Sequence, residues 1–112
     1  MTTVTDTRTI VVVGARPRSS AIDAFGDVPA SGEAVLYLLG LHPSPGQQRL
    51  TQDALELAAE RRFTLTAELI AGRPQLHERL RDATTVRILA SRGERRRWTL
   101  GRDLTVDPDD AR

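Results

Sequence analysis

Cysteine and lysine are both absent from this chain of 112 residues. Without a thiol, the chain can form no disulfide, no thiolate metal site and no dithiol redox centre. Without lysine, it lacks a Schiff base, a P-loop lysine and the lysine on which response-regulator receivers depend. Its sixteen basic residues are all arginine, and the net charge is only +1. So small a charge indicates no general attraction to nucleic acid or acidic membranes.

Aromatic and histidine residues are scarce as well. Aromatics make up 4% of the chain, so aliphatic side chains must build the core of a single domain. The two histidines, His42 and His77, are too few and too far apart to predict a metal site, and no cofactor is predicted. No apolar run approaches the roughly 20 residues of a membrane-spanning helix, and the first residues do not resemble a signal peptide. We therefore expect a cytoplasmic protein without a membrane partner.

Residues 34–41 form the most apolar segment, with Ala, Val or Leu at six of eight positions. This unbroken run predicts a central strand covered on both faces. Residues 42–46 then break the strand. Ser44 suits a helix cap, Pro45 the first turn and Gln47 the third position of a capping box, which predicts a helix over 45–61. A strand that leads directly into a helix favours an α/β fold.

The first 32 residues are interpreted as an N-terminal extension. Residues 9–14 are dense in β-branched side chains and predict one strand. The segment 15–32 begins with a basic loop and continues as a packed loop or linker, with a helical turn at most. Residues 1–7 are polar and are expected to be a frayed tail.

The remaining elements are predicted from periodicity. Residues 63–70 alternate between apolar and polar, which is typical of a half-exposed strand at a sheet edge. A short helix follows from Pro74, and residues 85–91 and 95–101 flank a glycine-containing turn, which predicts a β-hairpin. From residue 34 the order is therefore β-α-β-α-β-β, as in a thioredoxin-like fold, within a domain over 33–106. The acidic residues 107–112 are expected to form a mobile tail.

No catalytic set is evident. Catalysis requires a nucleophile with a base, paired carboxylates or a metal cluster. Ser44 is close to His42 in sequence, but a serine between two prolines at a helix start is interpreted as a cap. His77 is assigned to a solvated face, and the acidic tail lacks the spaced ligands of a calcium loop. We therefore predict a protein that is not an enzyme, with no catalytic or metal-binding residue.

Two basic segments are candidate binding sites. Arg92, Arg95, Arg96 and Arg97 precede Trp98, and arginines beside an aromatic can bind phosphate or single-stranded nucleic acid. In a hairpin, however, alternation would split the cluster between two faces, so a charged edge with Trp98 packed inward is preferred. The cluster is equally suited to an acidic protein partner. Residues 14–20 follow a strand, where phosphates commonly bind, but lack the glycine spacing of a nucleotide fingerprint.

Several short motifs between residues 34 and 104 occur in the order in which one family carries them. They are Leu36-Tyr37-Leu38-Leu39-Gly40 with Pro43-Ser44, Arg73-Pro74-Gln75-Leu76, Ala83-Thr84 followed by Val86 to Leu89, Arg95-Arg96-Arg97-Trp98, and Gly101-Arg102-Asp103-Leu104. Together they resemble the KaiB family of circadian-clock proteins. Arg102 stands where the family usually has an acid, and Thr85 where it has a proline.

The resemblance implies a thioredoxin-related chain that performs no chemistry. It implies docking on a KaiC-type ATPase or a sensor histidine kinase, and some members assemble into tetramers, so a homo-oligomer is possible. Nucleic acid is not the expected partner. The predicted partner-binding residues lie on the 63–70 edge, for strand addition, and in the arginine-rich segment, for charge. They are Thr64, Thr66, Glu68, Arg92, Arg95, Arg97 and Arg102.

The alternative is a nucleotide-binding α/β module that resembles the universal stress proteins. It is suggested by the strand and loop over residues 11–20 and by the sequence of residues 89–93. A third possibility is a nucleic-acid binder that uses residues 95–98, and such binding should depend steeply on salt concentration.

Overall fold

The computed structural model describes residues 8–81, 83 and 86–98, which form four strands and four helices. In chain order they are β1 (Thr9–Val13), α1 (Ala21–Phe25), β2 (Glu33–Leu39), α2 (Pro45–Arg61), β3 (Thr64–Ile70), α3 (Arg73–Leu80), β4 (Val86–Leu89) and α4 (Arg92–Arg97). None of the helices in this part of the chain combines the length and apolarity that crossing a bilayer requires.

The four strands form one sheet in the order β3-β2-β1-β4, and every neighbouring pair is parallel. In the registered pairs, Val11 lies between Leu36 on β2 and Arg87 on β4. Each connection crosses over through a helix, as parallel pairing requires. The strand order changes direction between β1 and β4, so their carboxyl ends flank a crevice at the topological switch point.

Helices cover both faces of the sheet. Val11 and Val13 point toward α1 and α2 and belong to a core that also contains Phe25, Leu50 and Leu57. The alternate residues point to the opposite face, where they pack against α3; this second core contains Ile10, Val12, Leu39, Ile70, Leu76 and Leu80. Because β1 and β2 are covered on both faces, their sequences are continuous apolar runs without alternation.

Serine residues begin three of the four described helices. Ser20, Ser44 and Ser91 each accept a hydrogen bond from the backbone N–H three residues on, and the side chain at that position reaches back to the serine N–H. These capping boxes satisfy backbone donors that a helix start otherwise leaves without partners. Helix α2 ends at Arg61 and is followed by its C-cap residue Arg62, which adopts a left-handed conformation with φ 64°.

The central predictions from periodicity are confirmed. The strand within residues 34–41 lies inside the sheet as β2, and Ser44 caps a helix with the predicted bounds of residues 45–61. Strand β3 lies at the sheet edge, with Leu65 and Leu69 against the α1–α2 core.

The predicted hairpin is wrong. Residues 92–97 form helix α4, because Ser91 and Glu94 make a capping box at its start and arginine is a good helix former. The rest of the predicted second hairpin strand, residues 99–101, lies outside the described residues, as do Arg102, Thr84, Thr85, the 107–112 tail and residues 1–7.

The N-terminal strand has a position that was not predicted. Strand β1 lies between β2 and β4, and β4 pairs with β1 alone among the described strands. A thioredoxin-like arrangement is therefore not confirmed; the structure is a four-stranded parallel sheet with helices on both faces. Residues 21–25, predicted as loop with at most a turn, form α1. Arg87 of β4 donates hydrogen bonds to the Ala24 carbonyl in α1 and to the carboxylate of Asp27, which follows α1.

Candidate functional site

The crevice between the carboxyl ends of β1 and β4 is the place where open α/β sheets bind ligands. It is formed by residues 14–20 after β1 and residues 90–94 after β4. The two loops are held together at their start, because Gly14 N donates a hydrogen bond of 2.9 Å to the Leu89 carbonyl. Whatever occupies this crevice decides whether a nucleotide can enter it.

The carboxylate of Glu94 occupies it. Its Oε2 accepts a hydrogen bond of 2.8 Å from Ala15 N, and its Oε1 accepts one of 3.4 Å from Ser91 N. It lies so close to Gly14 that a Cβ there would come within 2.5 Å of Oε1. The chain thus places its own anion against the backbone N–H that a phosphate would use.

Gln47 closes the neighbouring ends of β1 and β2. This side chain is fully buried, and its Nε2 donates to the carbonyls of Val13 at 3.1 Å and Leu39 at 3.0 Å. Its Oε1 accepts from Ser44 N at 2.8 Å. All three bonds satisfy backbone groups, so the amide completes the structure of this corner and holds no reactive group.

Ser44 is likewise a structural residue, as predicted. Its hydroxyl donates a 2.6 Å hydrogen bond to the Ala15 carbonyl and accepts one of 3.1 Å from Gln47 N. Both hydrogen-bonding roles of the hydroxyl are therefore filled by the backbone, whereas an activated serine donates to a base. His42 is exposed to solvent.

Strand β3 presents an open backbone edge, since within the described chain only β2 pairs with it. Thr64 N donates to Gly32 O, and Ile70 O accepts from Gly40 N. The backbone N–H and C=O groups of the even-numbered residues of β3 therefore face β2. Because peptide groups alternate along a strand, the N–H and C=O groups of Leu65, Ala67 and Leu69 point outward. The side chains of Thr64, Thr66 and Ala67 are exposed along this edge.

Glu68, the third predicted residue of this edge, is engaged within the molecule. Its carboxylate accepts hydrogen bonds of 2.9 Å from Nε and Nη2 of Arg79 on α3, and one of 3.1 Å from Gln75 Nε2. Glu68 therefore fastens α3 to the edge strand, while Thr64 and Thr66 stay available to a partner.

This ion pair predicts a pH dependence. The hydrogen bond from Arg79 holds the pKa of Glu68 below its usual value of 4.5. A carboxyl with a lowered pKa contributes stability above its unfolded pKa, and that contribution is lost as pH falls through the folded value. We expect Arg79→Gln to destabilise the protein slightly at pH 7, because the pair is partly exposed, and the difference from the wild type to shrink below about pH 4.5.

Urea unfolding at pH 7 and pH 3 measures this difference. Arg49→Gln removes the same charge from an exposed position on α2 and is expected to behave like the wild type at both pH values. A destabilisation by Arg79→Gln that is as large at pH 3 as at pH 7 would contradict the assignment.

The arginine cluster lies on α4 rather than on a strand. Arg92 and Arg97 are exposed and Arg95 is half-buried. Helix α4 carries its last residues to the start of α3, where Arg96, Arg97 and Trp98 meet Ala71, Gly72 and Arg73 around a cavity of about 510 Å³. Arg96 belongs to the predicted arginine cluster but not to the predicted partner-binding residues, and Arg73 was assigned to no site, although it stands in a motif that carries the family resemblance.

Of the predicted docking residues, Arg97 lines this cavity, whereas Thr64, Thr66, Glu68, Arg92 and Arg95 are not among its described lining residues. Strands β3 and β4 lie at opposite edges of the sheet, yet α4, which follows β4, ends beside the residues that follow β3. Trp98 packs against the α3-side core, so the prediction that it points inward is partly right. Arg102 lies outside the described residues.

The described residues contain no group of three metal-ligating side chains, and the two histidines lie in separate segments of the chain. No family model, no curated protein and no solved structure matches the chain. The resemblance to KaiB proteins accordingly stays a prediction based on the motifs.

Proposed function

We propose that this protein is a non-catalytic interaction module of the KaiB-like type, which docks on a KaiC-type ATPase or a sensor histidine kinase. The observation that carries the proposal is the open edge of β3, with outward N–H groups at Leu65, Ala67 and Leu69. The partner class and a thioredoxin-like arrangement of residues 33–106 belong to the proposal through the resemblance alone.

Strand addition is the docking mode that such an edge supports. An extended segment of the partner would take the outward N–H and C=O groups as hydrogen-bonding partners, and its side chains would alternate beside Thr64 and Thr66. Edge strands that do not bind partners are commonly protected by charge, proline or a bulge. Along the outward-facing positions of β3 there is neither proline nor charge, and the one charged residue of the strand, Glu68, is held by Arg79.

Ala67→Pro tests this edge directly. Ala67 directs its N–H away from β2, so proline removes a docking hydrogen bond while it leaves the pairing with β2 intact, as is tolerated on edge strands. We expect tagged Ala67→Pro to lose capture of the ATPase or kinase partner that the wild-type chain retains from its native host. The measurement is affinity purification followed by identification of the bound proteins.

Ala67→Val is the matched control, because valine keeps the N–H group at the same exposed position and is a good strand former. It is expected to capture the partner as the wild type does. Recovery of the same partner with Ala67→Pro, or of no ATPase or kinase with any variant, would argue against docking through β3.

A second candidate function is nucleotide binding in the crevice after β1 and β4. The doubly wound topology favours it, because the basic loop over residues 14–20 lies at the switch point. The Glu94 carboxylate opposes it, since a phosphate would have to displace this anion from Ala15 N.

Thermal unfolding with millimolar ATP separates the two functions. Nucleotide binding predicts that ATP raises the Tm, and that it does so more strongly in Glu94→Gln, where the negative charge is gone. If the Tm of both proteins is the same with and without ATP, this second function is excluded.

A further inference from the structure

The cavity at the end of β3 is lined by cations and one aromatic ring. Its lining includes Arg73, Arg96, Arg97 and Trp98 with the small residues Ala71 and Gly72. None of the described residues that line it carries a carboxylate. Three guanidinium groups around one concave surface favour a ligand that carries carboxylate or phosphate oxygens.

Two acidic side chains in the described part of the chain, Glu94 and Glu68, are engaged away from this cavity. Glu94 lies on the same helix as Arg96 but turns toward Ala15. Glu68 is bound by Arg79. Within the part of the chain that the structure describes, Arg96 and Arg97 form no ion pair, so their charge is left for an external partner.

Trp98 gives this corner a fixed apolar surface. It is half-buried, packs against the α3-side core, and its carbonyl lies 3.3 Å from Nε2 of His77. Tryptophan and arginine are the side chains that contribute most often to binding energy at protein interfaces. A partly exposed tryptophan among arginines therefore favours a protein partner over a free ion.

The corner continues the open edge of β3. Ala71 and Gly72, which line the cavity, directly follow Ile70, the last residue of the strand. A strand added to β3 would lie about 4.8 Å away and run beside its seven residues for about 20 Å. One end of the added strand would therefore arrive at Arg73, Arg96 and Arg97.

We infer that the partner docks with an extended acidic segment: a strand that pairs with β3 and carries carboxylates directly beyond the end that lies beside Ile70. In a parallel arrangement the acidic residues follow the strand, and in an antiparallel arrangement they precede it. The inference rests on the proposed function and adds to it the charge of the partner and the position of that charge.

Selection of displayed random peptides against the full-length chain tests the inference. Peptides of about twelve residues are long enough to pair with β3 and extend past it. The enriched peptides are expected to combine alternating β-branched residues with two or more Asp or Glu at one end. Enriched peptides without such an acidic end would overturn the inference, and so would a selection that enriches nothing.

Binding of an enriched synthetic peptide is then measured on variants. The double variant Arg96→Gln with Arg97→Gln is expected to weaken binding by at least about tenfold, and more strongly at low salt. The matched control, Arg16→Gln with Arg18→Gln, removes the same charge from the β1–α1 loop and is expected to leave affinity within about twofold.

The variants in β3 and in the arginine corner distinguish a failure of docking on β3 from a failure of the acidic-segment inference. If Ala67→Pro abolishes peptide binding while the Arg96–Arg97 double variant does not change it, docking on β3 stands and the acidic segment is wrong. If only the Arg96–Arg97 double variant weakens peptide binding, the peptide does not pair with β3 and the inference is wrong. Competition by inorganic phosphate would then identify the corner as a simple anion site. If neither variant matters, both the docking edge and the inference are overturned.

Discussion

Phe25→Ala is expected to lower the free energy of unfolding by about 3–5 kcal/mol, the usual cost of removing a fully buried aromatic ring. The Phe25 ring has no exposed surface and stacks on Phe63, with 6.5 Å between ring centroids. Phe25 is the last residue of α1, and Phe63 directly precedes β3, so the pair joins the N-terminal segment to the rest of the fold. Truncation would leave a cavity, and a chain with so few aromatic residues has few other large side chains that could fill it.

Urea unfolding followed by circular dichroism measures this effect, with Ile22→Ala as the matched control. Ile22 belongs to the same short helix but is 62% exposed, so its truncation is expected to change stability by less than about 0.5 kcal/mol. Equal effects of the two substitutions would mean that α1 does not dock on the sheet through Phe25.

Gln47→Leu is expected to cost about 2–4 kcal/mol, although leucine is more apolar and of similar size. The substitution removes the hydrogen bonds that the Gln47 amide donates to the Val13 and Leu39 carbonyls, and it deletes the acceptor for Ser44 N. A buried polar group that loses its partner costs about 1–3 kcal/mol, and several groups lose theirs at once.

The control for Gln47→Leu is Gln52→Leu, an exposed position on the same helix where the expected change is within about 0.5 kcal/mol. Chemical denaturation of both variants gives the comparison. A stable Gln47→Leu protein would show that water or a shift of the strand ends replaces the lost bonds. It would also weaken the assignment of this corner as a closed structural element.

These two substitutions bear on the proposed function because they affect regions that hold the proposed docking surfaces in place. Gln47 joins the ends of β1 and β2, and β2 is the strand on which β3 pairs. Phe63 packs directly before β3 and is in turn held by Phe25. A partner that binds at β3 would therefore depend on this support without contacting either residue.

Local sequence patterns predicted the elements that depend on neighbouring residues. The unbroken apolar run after residue 33 predicted β2, and Ser44, Pro45 and Gln47 predicted the start of α2, because strand burial and helix capping act within a few residues. Alternation over residues 63–70 likewise predicted an edge strand with Thr64 and Thr66 on its polar side. Part of the candidate site could thus be found from sequence alone.

Other features of the site depend on contacts between distant residues. Glu94 was not singled out, yet it forms the cap that makes residues 92–97 a helix and reaches Ala15 across the crevice. Its spacing of three from Ser91 was the signal that could have revealed α4. The pairing of Glu68 with Arg79 could not be predicted, because it requires the position of α3 relative to β3.

The sequence by itself determined an α/β chain without thiol or lysine chemistry, in which β2, α2 and β3 follow from patterns a few residues long. Only the tertiary structure decided that β1 lies between β2 and β4, because the β-branched sequence of a strand does not specify which strands pair with it. It also decided that Arg73, Arg96 and Arg97 share one corner beside the open edge. That juxtaposition arises from strand order and helix packing, which join residues more than twenty positions apart in the chain.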